Sequence, residues 1–512
     1  MKKIVNYRPI VLFAMALIFG GYFFVTAFVH EYVYIIIGSL ILLGLAIGVF
    51  SWIKTKSQKT FVRILALFML PFVLGGVVST TALIKKTKVF QTTGTYYVSA
   101  TIVDGGSLDG KYALTLKDVE LSHYENGDFA ITLDGEYTVR DELGYNSNMV
   151  YAGDRVSFVG DYNYQYTQLI ENSPLNAYAN NGKFYLRSNL TVVDEGSGIR
   201  YSLLKWSKKT LFDNMGKDDA TIAYAMLFGD KSLMDHNLKD VYGIAGVSHI
   251  LAVSGLHVGF LIGIVGWLLS KIIKNKWTQI ALLLTLLVGY AYICNWSPSI
   301  LRAVSMFGVG SLAGGVGKQY DGLNSLAVAG ILNFVVAPLN IFDIGFLLSF
   351  TVVFSIFAIS PGFSQFLQEK LPKKLASGVA LSVSAWLGSL PITIFYFKYM
   401  SVYSALVNIL VIPFVGVLFL VLMVSLVISL IPAFAPLILK VPSLLIKGLN
   451  FFVSGVGTLS TSAVNFSISY AILIFASLTL LVASDYAFIK RKMLYTAVLV
   501  FGFFGSVIIY NF

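Results

Sequence analysis

Two of the chain's five histidines lie close together in the sequence VSHILAVSGLHVG, at the start of an otherwise apolar run. They are His249 and His257, and the same stretch holds two serines and two glycines, Ser248, Ser254, Gly255 and Gly259. Polar side chains are costly in a bilayer, and those kept there commonly line a water-filled path or a functional site. On one continuous helix the two imidazoles would share a stripe and face the same neighbour. The pattern predicts a polar path or gate, with helix packing through small residues as the alternative.

Three further polar side chains stand in apolar runs. Arg302, in WSPSILRAVSM, could bind a phosphate or carboxylate, or could extend to the membrane interface. Asp343, in NIFDIGFLLSF, would cap a helix or form a salt bridge with Arg302. Asn408 shortly precedes Pro413 in ALVNILVIPF, and we expect that proline to break the helix and free backbone groups that line a path. Pro391, in LGSLPITIFYF, indicates a similar break.

Common catalytic signatures are absent from the sequence. GGVGKQ at 314–319 lacks the spacing and the hydroxyl of a phosphate-binding loop. The single cysteine, Cys294, excludes an intrachain disulfide and a cysteine-rich zinc site. We therefore predict no catalytic residue, no bound metal and no cofactor. A membrane metal-dependent hydrolase is the alternative, with His249 and His257 as ligands and the distant Asp343 as the third.

The composition is that of an integral membrane protein, because the 512 residues are 56% hydrophobic and only 12% charged. A spanning helix needs about 20 apolar residues, so the apolar runs predict a polytopic α-helical protein of about 11–12 spans. The run at 402–431 is too long for one straight span, and the short run at 323–338 suits a tilted or re-entrant helix. The runs lie at 10–29, 31–53, 61–84, 248–270, 278–296, 299–317, 323–338, 342–360, 376–397, 402–431, 467–485 and 493–512.

Lysine and arginine residues in the short loops predict the orientation of the spans. They cluster at 2–8, 54–63, 271–276 and 370–374, which places the N-terminus and these loops on the cytoplasmic side. The segment after the third span is then extracytoplasmic. Because a second span follows the first without a small-residue cleavage site, we interpret residues 1–29 as an uncleaved anchor.

A polar segment at 85–195 interrupts the apolar runs and holds more Asp and Glu than Lys and Arg. Alternating or aromatic-rich runs predict about five strands in it, at 95–103, 112–121, 129–139, 154–162 and 183–193. They suit a small antiparallel, OB-like β-barrel, a fold that often binds single-stranded nucleic acid on stacking aromatics. The candidates for stacking, which could equally be ordinary barrel residues, are Tyr96, Tyr97, Tyr124, Tyr162, Tyr164 and Tyr185. The acidic balance argues against nucleic-acid binding by this insert alone.

The sequence thus divides into four parts. A three-span membrane anchor at 1–84 precedes the extracytoplasmic OB-like domain at 85–195. A polytopic channel domain follows at 200–435, and 436–512 holds an amphipathic helix and C-terminal spans. Within the third part, DDATIAYAMLFGD predicts a helix that Asp218 or Asp219 caps and that ends near Gly229. The amphipathic stretch at 438–463 could lie in the membrane interface.

Four ordered motifs resemble the ComEC competence family, which forms the inner-membrane channel for DNA uptake in natural transformation. They are LFGDKSLMDHNLKDVYGIAGVSHILAVSGLHVG at 227–259, WSPSILRAVSM at 296–306, YDGLNSLAVAGILNFVVAPLNIFDIGFLLSF at 320–350 and LPITIFYF at 390–397. The run from 227 to about 415 resembles the family's competence domain. The insert stands where the family has its extracytoplasmic OB-like domain.

The resemblance implies a channel in the cell (cytoplasmic) membrane that passes single-stranded DNA inward without catalysis. Its path would be lined or braced by Ser248, His249, Ser254, Gly255, His257, Arg302, Asp343 and Asn408. Implied partners are single-stranded DNA, membrane lipid, a separate cytoplasmic ATPase motor, a DNA-receptor protein and a separate nuclease. The nuclease is expected to be separate because the sequence ends at Phe512 without the family's C-terminal metallo-β-lactamase-like domain. Transport of another anionic polymer or of a lipid intermediate is the alternative.

Overall fold

The computed structural model describes most of the chain, and the predicted spans at 31–53, 467–485 and 493–512 lie outside the described residues. Two helices come first, α1 (Pro9–Val29) and α2 (Gln58–Lys86). They pack antiparallel, and their backbones approach closely at two glycines. A Cβ at Gly20 would collide with the backbone of Phe72, and one at Gly75 with the backbone of Leu17. The described residues are 9–29, 58–86, 93–108, 111–123, 129–133, 137–141, 150–163, 183–231, 234, 236–397, 399–401, 403–457 and 463–465.

The polar insert is a small β-barrel. Its strands are β1 (Gly94–Leu108), β2 (Lys111–His123), β3 (Phe129–Leu133), β4 (Tyr137–Asp141), β5 (Arg155–Asn163), β6 (Lys183–Leu186) and β7 (Thr191–Asp194). Five of them form a closed ring in the order β1-β2-β4-β6-β5, because β1 pairs with both β2 and β5. The β4–β6 pair is parallel, and the other pairs in the ring are antiparallel. The prediction of a small five-stranded barrel is therefore confirmed, but the expectation that all its pairs are antiparallel is wrong for the β4–β6 pair.

Two of the five predicted runs each contain two strands. The run at 129–139 holds β3 and β4, and the run at 183–193 holds β6 and β7. Alternation alone did not separate β3 from β4, although the turn-favouring pair Asp134–Gly135 lies between them in the sequence. Of the tyrosines proposed to stack on bases, Tyr96 and Tyr162 are buried in the barrel core and cannot do so. Tyr97 is exposed, and Tyr124 and Tyr164 lie outside the described residues.

One buried carboxylate joins the barrel to the helical part. Asp154, just before β5, accepts hydrogen bonds from the backbone N–H groups of Tyr151 at 2.8 Å and Gly196 at 3.2 Å. It also accepts one from the hydroxyl of Tyr201 at 2.7 Å. Tyr201 belongs to α3 (Ile199–Asn214), so this carboxylate fixes the first helix after the barrel against the barrel itself. A buried carboxylate is stable only when its oxygens accept several such bonds.

The next helix, α4 (Lys217–Phe228), lies at the centre of the helical part. Nine consecutive residues, from Asp219 to Leu227, are buried, so the helix is covered on every side. Its N-cap is Gly216, so the prediction that Asp218 or Asp219 caps it is wrong; both carboxylates lie in the first turn instead. The predicted end at Gly229 is confirmed, with a left-handed φ of 85°.

The helices that follow are α5 (His236–Ile244), α6 (Gly255–Ile272), α7 (Lys276–Ile293), α8 (Pro298–Gly315), α9 (Gly322–Val336), α10 (Ile344–Gln368), α11 (Lys373–Phe397), α12 (Ser404–Ile428), α13 (Ala435–Ile438) and α14 (Lys440–Gly457). Short 3₁₀ turns lie at Ser248–Leu251, Pro338–Phe342 and Pro432–Phe434, and β8 (Tyr399–Ser401) pairs with β9 (Ala463–Asn465). The main apolar core is formed by residues of α3 to α8 and α12 to α14.

Six helical segments within the described part of the chain are long and apolar enough to cross a membrane. They are Gly255–Ile272, Lys276–Ile293, Ile344–Gln368, Lys373–Phe397, Ser404–Ile428 and Pro432–Gly457. The predicted spans near 10–29, 61–84 and 323–338 form shorter apolar helices, at Pro9–Val25, Met69–Leu83 and Gly322–Val336. The predicted span at 299–317 corresponds to α8, which is not among the six.

Neither of the two prolines expected to break a helix does so. Pro391 lies inside α11 and Pro413 inside α12. Each helix is 25 residues long and is not interrupted at its proline. In α11 the hydroxyls of Ser389 and Thr393 donate to carbonyls of their own helix, to Trp386 O at 2.9 Å and Ser389 O at 3.1 Å. Local hydroxyls and neighbouring helices commonly satisfy backbone groups around a proline in a membrane helix. The predicted broken helix at Asn408 is therefore wrong.

The amphipathic stretch predicted at 438–463 is helical over α14, whose polar side chains contact the central helices. Ser443 Oγ donates to Asp219 Oδ2 of α4 at 2.5 Å, and Lys447 Nζ lies 3.9 Å from the same oxygen. Tyr242 of α5 donates to Asn450 Oδ1 at 2.5 Å. These contacts hold α14 against α4 and α5 by specific hydrogen bonds in addition to apolar packing.

We predict that replacing the buried carboxylate destabilises the joint between barrel and helices. Asp154→Ala leaves three donors without an acceptor and should lower the free energy of unfolding by about 3 kcal/mol. Tyr201→Phe removes one hydrogen bond and should cost about 1 kcal/mol. Thermal unfolding of the detergent-purified chain measures both, with Asp194→Ala, an exposed aspartate of β7, as the control. Equal stability of Asp154→Ala and Asp194→Ala would contradict the assignment.

Candidate functional site

The segment between α5 and α6, residues 245–254, is not a continuous helix, and we call it the helix break. Gly246 ends α5 in the left-handed conformation, with φ of 75°. Its N–H donates to the carbonyl of Gly243, and the N–H of Val247 donates to that of Tyr242, both at 2.9 Å. This pattern is a Schellman motif, which terminates a helix.

The prediction that His249 and His257 share one helical stripe is therefore wrong. His249 lies in the 3₁₀ turn Ser248–Leu251, within the helix break. Ser254 is extended and serves as the N-cap of α6, and His257 lies in the first turn of that helix. The two histidines therefore lie in different elements, His249 in the break and His257 in α6.

His257 is fully buried and caps the helix in which it lies. Its Nδ1 accepts a hydrogen bond from the N–H of Ser254 at 3.1 Å, and its ring packs on Phe419 of α12 with centroids 4.8 Å apart. Glu or Gln usually accepts this bond at the third position of a capping box. Because Nδ1 accepts, the neutral ring carries its proton on Nε2. Within the described structure that Nε2 is buried and has no hydrogen-bond partner.

Arg302 is also buried and supports the same helix start from the other side. Its Nη1 donates to the carbonyl of Ser349 in α10, and its Nη2 lies against Gly255, where a Cβ would collide with it. The side chain therefore does not extend to the membrane interface. No ion pair joins it to Asp343 among the residues that the structure describes, so the proposed salt bridge is absent there. Its Nε is buried without a partner in the same part of the chain.

Asp343 and Asn408 occupy two different places. Asp343 is the N-cap of α10, accepting from the N–H of Phe346 at 2.9 Å, which confirms the capping alternative. Asn408 donates to Ser404 Oγ at 3.2 Å, and Ser404 Oγ donates to the carbonyl of Gly246 at 3.2 Å. Asn408 thus connects α12 to the helix break.

His249, in the same helix break, differs from His257 in its exposure: its side chain is exposed, whereas that of His257 is fully buried. Asp343 is also exposed, and it lines a cavity. His249 and Asp343 are therefore accessible at the surface of the described structure, whereas His257 and Arg302 support the start of α6.

The structure thus brings Ser254, Gly255, His257 and Arg302 together at the start of α6, and places Asp343 apart from them at the start of α10. Ser248 begins the 3₁₀ turn and is half-buried. Sequence reasoning missed Ser404 and Phe419. Ser404 could have been found, because it stands four residues before Asn408 and so on the same helix face. The contact from Phe419 to His257 has no sequence signal, because aromatic residues are common in apolar helices.

The described residues include no group of three or more His, Cys, Asp or Glu side chains placed to hold a metal ion. Asp343, the third ligand in the metal-hydrolase alternative, caps α10 instead of joining the two histidines.

We predict that a methyl group at Gly255 displaces the Arg302 guanidinium. Gly255→Ala should lower the free energy of unfolding by about 2 kcal/mol, the cost of overpacking. Gly259→Ala, one turn further along α6, should be neutral or stabilising by up to about 1 kcal/mol, because nothing lies within 4 Å of the added Cβ. Thermal unfolding in detergent measures both. In an Arg302→Met background the cost of Gly255→Ala should largely disappear, and an unchanged cost would show that Arg302 is not the cause.

Comparison with known proteins gives a family match over the part of the chain that holds this site. The model of the family described as "Competence protein" matches residues 226–488, just over half of the 512-residue chain. Over 234 residues the chain is 31% identical to "ComE operon protein 3" of Bacillus subtilis (strain 168), covering 45% of this chain and 29% of that protein.

A second relative, an uncharacterized protein of Aquifex aeolicus (strain VF5), is 28% identical over 176 residues, which cover 34% of this chain and 41% of that protein. The matches thus span less than half the length of these curated relatives. No solved structure matches the chain. The family match and the similarity to the Bacillus protein agree with each other, and the chain belongs to the ComEC competence protein family.

Proposed function

We propose that the chain is a multi-pass channel of the cell membrane that passes single-stranded DNA into the cytoplasm during natural transformation. Membership of the competence family and similarity to a protein of the ComE operon support a role in DNA uptake. The observation that carries the channel function is the helix break, a non-helical segment that bears the exposed side chain of His249 between two helices of the apolar core. Polar groups among membrane helices commonly mark a conduction path.

In this proposal the site residues have two kinds of role. His249 and Asp343 line the wet path, and Ser248 and Asn408 form the polar surroundings of the helix break. Ser254, Gly255, His257 and Arg302 are positioning residues that fix where the helix break ends and α6 begins. Non-helical backbone at membrane depth is tolerated only where protein buries it or water reaches it, and in this proposal the helix break is such a segment.

The rest of the chain is assigned around that path. The barrel would lie on the extracytoplasmic side and guide the strand toward the helices, with the N-terminus in the cytoplasm. The sequence contains no nucleotide-binding loop of the G-x-x-x-x-G-K-[ST] type, so a separate cytoplasmic ATPase would drive transport. A DNA-receptor protein and a nuclease would act as separate partners.

The two histidines offer a matched test of these roles. Deleting the gene should abolish uptake of fluorescently labelled DNA, and wild-type chain should restore it. His257→Gln keeps an acceptor for the N–H of Ser254 and should restore uptake to near wild-type level, because a glutamine can cap the helix. His249→Leu roughly keeps the side-chain volume but removes the polar ring from the path. It should lower DNA uptake roughly tenfold, which is the effect expected when one polar contact is lost.

Membrane levels of each variant, measured by immunoblot, separate lost transport from lost protein. Normal DNA uptake in the deletion strain would refute the proposed function and favour another anionic polymer or a lipid intermediate as the transported molecule. Equal uptake by His249→Leu and wild type would refute the role of His249 in the path while leaving the channel itself in place.

A further inference from the structure

A cavity of about 450 Å³ lies where the barrel meets the helical part. Its volume lies within the range of sites that hold a small ligand or a part of a larger one. Its walls come from the barrel side (Val150 and Tyr151), from α3 and α4, and from the starts of α8 and α10. The cavity therefore lies at the junction between the barrel side and the helical part.

Lys208 of α3 is the buried charge in this wall, with only 3% of its surface exposed. Its ammonium lies 5.2 Å from the ring centroid of Tyr151 and 5.6 Å from that of Tyr224, and 3.5 Å from the carbonyl oxygen of Val150. All three neighbours line the cavity. No carboxylate lies within ion-pair distance of it among the described residues. A buried ammonium without a counter-ion is costly, so its environment favours the arrival of an anion.

Arg200, one residue into α3, adds a second positive group to the same wall. Its Nε donates to the carbonyl of Ile293 at 3.1 Å, which fixes the guanidinium at the cavity and leaves its two Nη groups for a ligand. The cavity is also lined by Ser297, the N-cap of α8, and by Asp343, the N-cap of α10. Helix N-termini carry partial positive charge and favour anions.

Two carboxylates, Asp230 and Asp343, line the cavity as well, and Asp343 caps α10. Burial lowers the pKa of Lys208, and the carboxylates of Asp230 and Asp154 oppose that shift. Of the charged side chains that line the cavity, Lys208 is the one that is buried.

The loop that closes the cavity is held in an unusual backbone conformation. Asn295 and Trp296 have φ of 53° and 52°, in the left-handed region that non-glycine residues seldom occupy. Asn295 lines the cavity. Consecutive strained residues of this kind concentrate at binding and catalytic sites, where the surrounding structure maintains them.

From these observations we propose that the cavity is an anion site in which Lys208 and Arg200 hold a backbone phosphate of the DNA strand between barrel and channel. The proposal rests on the DNA-channel function proposed above and identifies the place where the strand would enter the helical part. Tyr151 and Tyr224 shield the ammonium from bulk water, which strengthens its attraction for the phosphate. Lys205 of the same helix is not part of the site, because it forms an ion pair with Glu195 at 2.6 Å.

The test measures how salt affects binding of a fluorescein-labelled single-stranded oligonucleotide to the full chain purified in detergent, so that no bilayer phospholipid supplies the phosphate. For single strands the slope of log affinity against log salt changes by about 0.7 per phosphate contact. Lys208→Gln should weaken binding roughly tenfold and reduce the slope by about that amount. Lys209→Gln is the matched control, because it removes the same charge from the adjacent, exposed position. Lys208→Arg should bind as wild type does.

Equal effects of Lys208→Gln and Lys209→Gln, or no effect of Lys208→Gln, would overturn the site. If Lys208→Gln does not fold, Arg200→Gln provides the same test. A salt slope for Arg200→Gln equal to that of wild type would overturn the phosphate contact shared by Lys208 and Arg200.

A second measurement separates the site from the proposed function. If wild-type chain binds no oligonucleotide, DNA transport fails, and thermal unfolding with and without inorganic pyrophosphate then tests the cavity alone. Stabilisation of wild type that Lys208→Gln loses supports an anion site for a different phosphate compound. Absence of stabilisation in wild type overturns the site.

Discussion

The helical part of this protein is organised around one requirement, that a stretch of non-helical backbone among apolar helices must have its polar groups satisfied. The helix break meets this requirement through its neighbours. The carbonyl of Gly246 accepts from Ser404 of α12, and the N–H of Ser254 is accepted by His257. Because these partners come from α12 and α6, the packing of these two helices and the conformation of the break depend on each other.

This dependence explains why two histidines in one motif have different environments. His257 is enclosed, and its ring nitrogen replaces the carboxylate or amide that normally caps a helix. His249 lies in the 3₁₀ turn of the break, and its side chain is exposed. The motif thus combines a structural histidine with one that, in the proposed function, lines the path.

The sequence predicted the features that depend on local patterns. Alternation placed the barrel strands, and Gly229 was recognised as a helix end. The helix break is not predicted from the sequence, although Gly246 has the residue type that a Schellman motif requires, because the apolar period of the run favours a continuous helix. Pro391 and Pro413 do not break their helices as the sequence predicts, because a proline is tolerated inside an apolar helix when other groups satisfy the nearby backbone. The placement of Lys208 at the cavity depends on the joint between barrel and helices and has no sequence signal.

The contact between Asp219 and Ser443 has a consequence for how the protein is made. The two residues are 224 positions apart, and Asp219 begins a run of nine consecutive buried residues in α4. During synthesis, α4 leaves the ribosome long before its partner exists, so its carboxylate has to remain hydrated until α14 has been translated. The centre of the helical part can therefore close only late in biogenesis. Chains interrupted before residue 443 would keep an open, hydrated interior that quality-control proteases could recognise.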